Sequence, residues 1–127
     1  MKLNSKQLRD LPESEAKSSL AGLPRRPIYF IVENVYDSYN VGGLFRLADA
    51  LNVSKIYLCG ETEIPPNHKI VKASIGTYKI VPWEYKSSAG EAITELRSQY
   101  SVSSIKVLAI EQAKGSVDYR KAKYSLP

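Results

Sequence analysis

One segment of the sequence combines basic, amide and glycine residues in an order suited to holding an anion. It covers residues 33–50, ENVYDSYNVGGLFRLADA, and contains Asn40, Gly42, Gly43 and Arg46. A guanidinium has five donors and suits phosphate or carboxylate, and free N–H groups at a helix N-terminus also favour an anion. Two glycines in a first helical turn cost roughly 1 kcal/mol each relative to alanine. That cost is tolerable where another backbone or a ligand must come close.

Helical spacing predicts which way these side chains point. Gly42, Gly43 and Arg46 are predicted to lie opposite an apolar face, with Asn40 at the helix start. The apolar face consists of Val41, Leu44, Phe45, Ala48 and Leu51. A second interpretation stays open, in which Asn40 is only an N-cap and Arg46 is only a solvated helix residue. The segment lacks G-x-G-x-x-G and a P-loop, which disfavours a dinucleotide or nucleotide triphosphate site.

The surrounding pattern predicts the elements that position this segment. Apolar strand-forming runs occupy residues 28–32, 56–59, 78–81 and 105–110, and we interpret the first as a strand buried on both faces. Between them we predict the helix after Asp37, a short helix over 69–73 and an amphipathic helix opened by a Ser88–Glu91 capping box. Such alternation indicates an α/β fold with a mostly parallel sheet and flanking helices. Ligands of open α/β sheets bind beyond the carboxyl ends of strands, where residues 33–50 begin.

Composition narrows the partners of the chain. Its 127 residues are 43% hydrophobic and carry a net charge of +5, which favours polyanions such as nucleic acid. No apolar run reaches the length of a membrane span. A single cysteine and a single histidine argue against a disulfide or a zinc site, and the cysteine usage fits a reducing cytosol. Residues 1–27 form a basic extension, either solvated or an arm that touches RNA or a partner subunit.

Two ordered motifs carry a family resemblance over about residues 28–85. The stretch NVGGLFRLADA, followed by NVSKIYLCG, resembles the first motif of the SpoU-type RNA methyltransferases of the α/β-knot superfamily, with matches at Asn40, Gly42, Arg46, Ala48 and Asp49. A second stretch, KASIGTYKIVPWEY, is similar to a later family segment, with matches at Lys72, Ser74, Gly76, Trp83 and Glu84. The chain departs from many family members at Ser38, Leu47 and Thr77.

The resemblance implies an activity and its site residues. It implies methyl transfer from S-adenosylmethionine to a ribose 2′-hydroxyl of tRNA or rRNA, by a cytoplasmic homodimer without a metal. Arg46 takes the catalytic position and Asn40 a supporting one. Gly42, Gly43, Lys72 and Ser74 become candidates for contact with RNA or another anion. Trp83 is either an ordinary packed residue or part of the dimer interface.

The resemblance also predicts that the family domain is incomplete in these 127 residues. We expect residues 28–127 to form an α/β-knot methyltransferase domain truncated before its C-terminal knot. Nothing after residue 110 resembles the Gly-Asn-Glu and Ser-Leu-Asn loops that hold S-adenosylmethionine in family members. This chain alone is therefore expected neither to bind S-adenosylmethionine nor to catalyse methyl transfer. The alternatives are an inactive RNA-binding or dimerisation module, or an unrelated small α/β nucleotide binder.

Overall fold

Parallel strands alternate with helices in the described part of the chain. The computed structural model describes residues 5–10, 12, 24–101 and 104–123. Its contacts cluster into two compact units, Met1–Ala92 and Ile93–Pro127, and every described strand belongs to the first. In chain order the elements are α1 (Ser5–Asp10), β1 (Arg26–Glu33), α2 (Ser38–Leu51), β2 (Val53–Cys59), α3 (His68–Ser74), a 3-10 helix (Thr77–Lys79), β3 (Trp83–Lys86) and α4 (Ala89–Gln99). The predicted α/β class with a parallel sheet and flanking helices is confirmed.

The sheet has the order β1-β2-β3 among the described strands, and both strand pairs are parallel. Val32 lies beside Leu58, which in turn lies beside Tyr85. The central strand is buried on both faces, since residues 56–59 are all inaccessible to solvent. In β1 only Val32 is buried, and Ile28 is 39% exposed. Our interpretation of residues 28–32 as buried on both faces is therefore wrong, because β1 is an outer strand of this sheet.

The predicted strand at 78–81 is also wrong. This segment is a tight turn that starts in the 3-10 helix, because the N–H groups of Ile80 and Val81 both donate to the carbonyl of Thr77, at 3.1 and 3.0 Å. Ile80 and Val81 are both buried within this turn. The third strand follows directly as Trp83–Lys86, whose polar side chains concealed it in the sequence.

The predicted strand at 105–110 is not formed either. No strand pairs with this segment in the part of the chain that the structure describes, and Val107, Leu108 and Ile110 are exposed. Strand-forming residues make a strand only where a neighbouring strand supplies ladder hydrogen bonds. The apolar composition of residues 105–110 was therefore not enough to predict a strand.

Part of the basic extension is anchored to the first unit. The Arg25 guanidinium donates to the carbonyls of Val53 (2.9 Å) and Ile80 (3.1 Å). Burial lowers the Arg25 pKa, and this effect outweighs the negative charge of Asp49, which raises it. Lys79, 8% exposed, donates from Nζ to the carbonyl of Arg9 at the end of α1. The hypothesis of a wholly solvated extension is therefore wrong at Arg25. The remaining positions, 1–4, 11 and 13–23, lie outside the described residues.

The longest helix, α2, is capped at both ends and packs closely on α3. Asp37 accepts the N–H groups of Tyr39 and Asn40, and Asn52 ends the helix in the left-handed region. Gly42 lies in this contact, because a Cβ there would stand 2.6 Å from Ala73 Cβ and 2.9 Å from the Ile70 carbonyl oxygen. The predicted outward orientation of Gly42 is wrong, since it faces α3. Leu51, predicted to lie on the apolar face, is 40% exposed.

The two adjacent glycines of α2 make a matched pair for a stability test. Gly42→Ala should lower the free energy of unfolding by about 1–3 kcal/mol, because the new methyl group overlaps the backbone of α3. Gly43→Ala should raise it by up to about 1 kcal/mol, since nothing lies within 4 Å of a Cβ there and alanine favours helix.

Urea unfolding of the two variants and the unchanged chain, followed by circular dichroism, measures both effects. Equal shifts of the two variants in the same direction would contradict the close approach of α2 and α3.

Candidate functional site

The loops after β1 and β2 are held together at the carboxyl edge of the sheet. Thr62, 4% exposed, accepts the Val35 N–H at its hydroxyl (3.0 Å) and donates the same hydroxyl to the Val32 carbonyl (3.2 Å). Asn34 accepts the Glu61 N–H at 2.8 Å. These bonds position the segment that leads into α2. The start of α2 is therefore positioned by the loop after β2 as well as by the preceding strand, β1.

Asn34 itself adopts an uncommon backbone conformation. Its φ is 52°, a left-handed value that asparagine tolerates better than most residues. Gly60, at the end of β2, also has a positive φ, and its Cα faces the Asn34 amide so closely that no Cβ would fit. Asn34 and Gly60 therefore shape this edge of the sheet, and neither was a candidate from the sequence.

The exposed side of α2 presents Asn40, Gly43 and Arg46. They are spaced three residues apart, so Asn40 and Arg46 are separated by about 9 Å along the helix axis. All three are solvent-exposed. Asn40 is not the N-cap, because Asp37 occupies that position and accepts the Asn40 N–H. The N-cap interpretation of Asn40 is thus wrong, and its side chain stands on the same exposed surface as Arg46.

The second motif, on α3 and the turn after it, lies against the first. Lys72 is exposed, whereas Ser74 is fully buried and donates its hydroxyl to the Val71 carbonyl at 3.1 Å. The Thr77 hydroxyl donates to the Ser74 carbonyl at 2.6 Å. The structure therefore brings Lys72 to the surface beside α2 and gives Gly42 and Ser74 packing roles.

Trp83 and Glu84, also matched by the resemblance, lie in β3. Trp83 is half-buried against the core cluster, as its packed-residue interpretation predicts. Glu84 pairs with Lys86 (3.3 Å) and Lys55 (3.7 Å). Both residues stabilise the sheet, and an interface role for Trp83 stays a prediction.

Cys59, at the end of β2, is a buried thiol. Burial raises its pKa to about 11, and the nearby carboxylates of Glu33 and Glu91 add to the shift. Such a thiol stays protonated near pH 7 and is a poor nucleophile. Among the described residues, no group of three or more His, Cys, Asp or Glu side chains could hold a metal ion. Within the same residues, no helix is long and apolar enough to span a membrane.

The Thr62 contacts predict a selective loss of stability. Thr62→Val keeps the shape but removes the acceptor of the Val35 N–H and the donor to Val32, so it should lower the free energy of unfolding by about 1–3 kcal/mol. Thr62→Ser keeps the hydroxyl and loses a methyl group, which should cost under about 1 kcal/mol. Chemical denaturation compares the two variants, and an equal loss would show that the hydroxyl is unimportant.

Comparisons with known proteins identify the family of the chain. The family model described as the SpoU rRNA Methylase family matches residues 27–126. A comparison with curated protein sequences found no significant match. The family match overturns the hypothesis of an unrelated nucleotide binder.

Solved structures agree with the family match. An rRNA methyltransferase from Sinorhizobium meliloti is 30% identical with a TM-score of 0.63, covering 91% of this chain and 39% of that one. An AdoMet-bound rRNA methyltransferase from the same organism is 27% identical with a TM-score of 0.52, covering 72% of this chain and 31% of that one. The SpoU methyltransferase AviRb from Streptomyces viridochromogenes, in complex with AdoMet, shares the fold at 17% identity, with a TM-score of 0.54 and coverages of 78% and 43%. The chain thus spans well under half the length of these proteins, and it belongs to the SpoU rRNA methylase family.

Proposed function

We propose that the protein containing these residues is an RNA methyltransferase that transfers a methyl group from S-adenosylmethionine to a ribose 2′-hydroxyl of rRNA or tRNA. The family match over residues 27–126 carries this proposal. The exposed positions of Asn40 and Arg46 on α2 support it, because a large RNA substrate can reach both side chains. The net charge of +5 further favours a polyanionic substrate.

Arg46 orients the reacting nucleotide and stabilises the negative charge that develops on the attacking 2′-oxygen as the hydroxyl proton passes to water. A role as general base is disfavoured on energetic grounds. Arginine side chains stay protonated in proteins, and removing the proton near pH 7 would cost roughly 7 kcal/mol. Donation of hydrogen bonds to a developing oxyanion needs no such step. Asn40 supports Arg46 by holding the ribose or phosphate through its amide group.

The RNA backbone is contacted by the exposed members of the two motifs. Lys72 on α3 supplies a positive charge for a phosphate, and Gly43 leaves an open surface where a sugar–phosphate chain can approach α2. Gly42 and Ser74 act indirectly, since both are buried in the packing between the two motifs. They hold Lys72 in place relative to Arg46.

S-adenosylmethionine is the methyl donor of this family, and on our proposal it binds outside the described strand ends. The Cys59 carbonyl already accepts two N–H groups, and the Gly60 carbonyl accepts the Tyr85 hydroxyl at 2.8 Å. The Gly60 N–H donates to the Lys86 carbonyl. The engagement of these groups supports the proposal that other segments of the complete protein bind the donor. When bound, the donor supplies an electrophilic methyl group, and the residues above contribute only substrate binding and charge stabilisation.

The exposed face of α2 supports a homodimer. Leu47 and Leu51 are 47% and 40% exposed and lie on the same helix as Asn40 and Arg46. Exposed apolar residues grouped around a site favour a protein interface. We therefore propose that the enzyme acts as a homodimer in the cytoplasm, with the α2 face near the subunit interface.

Substitution of Arg46 tests the proposed activity in the complete protein. Arg46→Ala should reduce methyl transfer to an rRNA substrate at least about 100-fold, because the positive charge at the developing oxyanion is lost. Incorporation of radiolabelled methyl groups from S-adenosylmethionine measures this loss. Arg97→Ala is the control, since Arg97 is another exposed helical arginine that carries no proposed role.

Near-normal turnover of the Arg46→Ala enzyme would refute the catalytic assignment. RNA affinity without any methyl transfer by the unchanged complete protein would instead favour the alternative, an inactive RNA-binding or dimerisation module.

A further inference from the structure

Two of the nine tyrosines stand out by their position beside the candidate site. Tyr36 and Tyr39 flank Asp37, the N-cap of α2, and so lie at the end of the helix that carries Asn40. Tyr36 is 71% exposed and Tyr39 is 48% exposed. By contrast Tyr57, in the central strand, is only 1% exposed. Exposure of two large aromatic side chains next to a catalytic surface calls for a ligand that covers them.

The Tyr36 hydroxyl is near the Glu61 carboxylate. Hydrogen bonding to that carboxylate and its negative charge raise the Tyr36 pKa. Glu61 in turn is positioned by the bond from its N–H to Asn34. Most of the Tyr36 side chain stays open to solvent. The Glu61 carboxylate also repels phosphates, so Tyr36 suits an uncharged planar group better than the RNA backbone.

Tyr39 is paired with a cation. Lys69 Nζ lies 5.8 Å from the centroid of the Tyr39 ring, within reach of a cation–π contact. Lys69 and Lys72 are one turn apart on α3 and both are exposed. The close approach of α2 and α3 at Gly42 is thus accompanied by a cation–π contact between the two helices, at Tyr39 and Lys69.

We propose that Tyr36 and Tyr39 stack on unpaired bases of the RNA, next to the nucleotide held by Arg46, while Lys69 and Lys72 bind the adjoining phosphates. This inference rests on the proposed function and adds to it a preference for single-stranded nucleotides. Bases within a duplex are already stacked on their neighbours, whereas bases in loops and bulges offer free faces to aromatic side chains. Base stacking on aromatic rings is insensitive to sequence. The surface thus selects unpaired RNA rather than a particular base.

The test compares two RNA probes with the full chain. One is a fluorescein-labelled hairpin with an unpaired loop, and the other is the same hairpin with abasic nucleotides in the loop. Tyr36→Ala and Tyr39→Ala should each weaken binding of the first probe about 5- to 100-fold, as expected for loss of one stacked base. Neither should change binding of the abasic probe. Tyr36→Phe and Tyr39→Phe should bind both probes nearly as tightly as the unchanged chain, because the ring remains.

Two further variants separate stacking from charge. Lys69→Gln should weaken binding of both probes to the same extent. It should also make binding less dependent on salt, because about one counterion fewer is released from the RNA. Tyr119→Ala is the matched control, because Tyr119 is 76% exposed and has Arg120 at 5.8 Å from its ring but lies in the other unit. The Tyr119→Ala variant should bind both probes as tightly as the unchanged chain does.

Fluorescence anisotropy distinguishes the outcomes. If the unchanged chain binds RNA and both alanine variants bind it equally well, this inference is overturned and the proposed function stays intact. Equal losses for the alanine and phenylalanine variants would also overturn it, since the hydroxyl rather than the ring would then matter. Absence of any RNA affinity in the unchanged chain would contradict the proposed function together with this inference.

Discussion

The close contact between α2 and α3 is the constraint on which the candidate site depends. Gly42 lets the backbone of α3 approach α2 to a distance that no side chain would permit. Because of this contact, two motifs that are some thirty residues apart in sequence present Arg46 and Lys72 on neighbouring helices.

The carboxyl edge of the sheet adds a second level of positioning. Backbone groups in the loops after β1 and β2 find hydrogen-bond partners in the Thr62 and Asn34 side chains. Buried polar groups left without partners are costly, so these bonds restrict the loop to one path. The start of α2 is thereby restrained from two sides, by its Asp37 cap and by the neighbouring loop.

Much of this architecture was predictable because local signals agreed with the tertiary structure. β2, α2 and α3 were found within a few residues of their observed bounds, since continuous apolar runs and helical spacing mark them clearly. The failures have a common cause. Residues 78–81 and 105–110 have the composition of strands, but pairing partners decide whether a strand forms, and one sequence does not specify them. The orientation of Gly42, the anchoring of Arg25 and the pairing of Tyr36 with Glu61 likewise depend on contacts distant in sequence.

The nature of the obstacle at Gly42 limits how this surface can diverge in evolution. A larger residue there could be partly accommodated by shrinking Ala73, but the Ile70 carbonyl belongs to the main chain and is present whatever residue occupies position 70. No single compensating substitution can therefore restore the contact. Position 43, which faces open space, is free to vary, so the exposed side of α2 can change its side chains while geometry keeps the joint between the helices fixed.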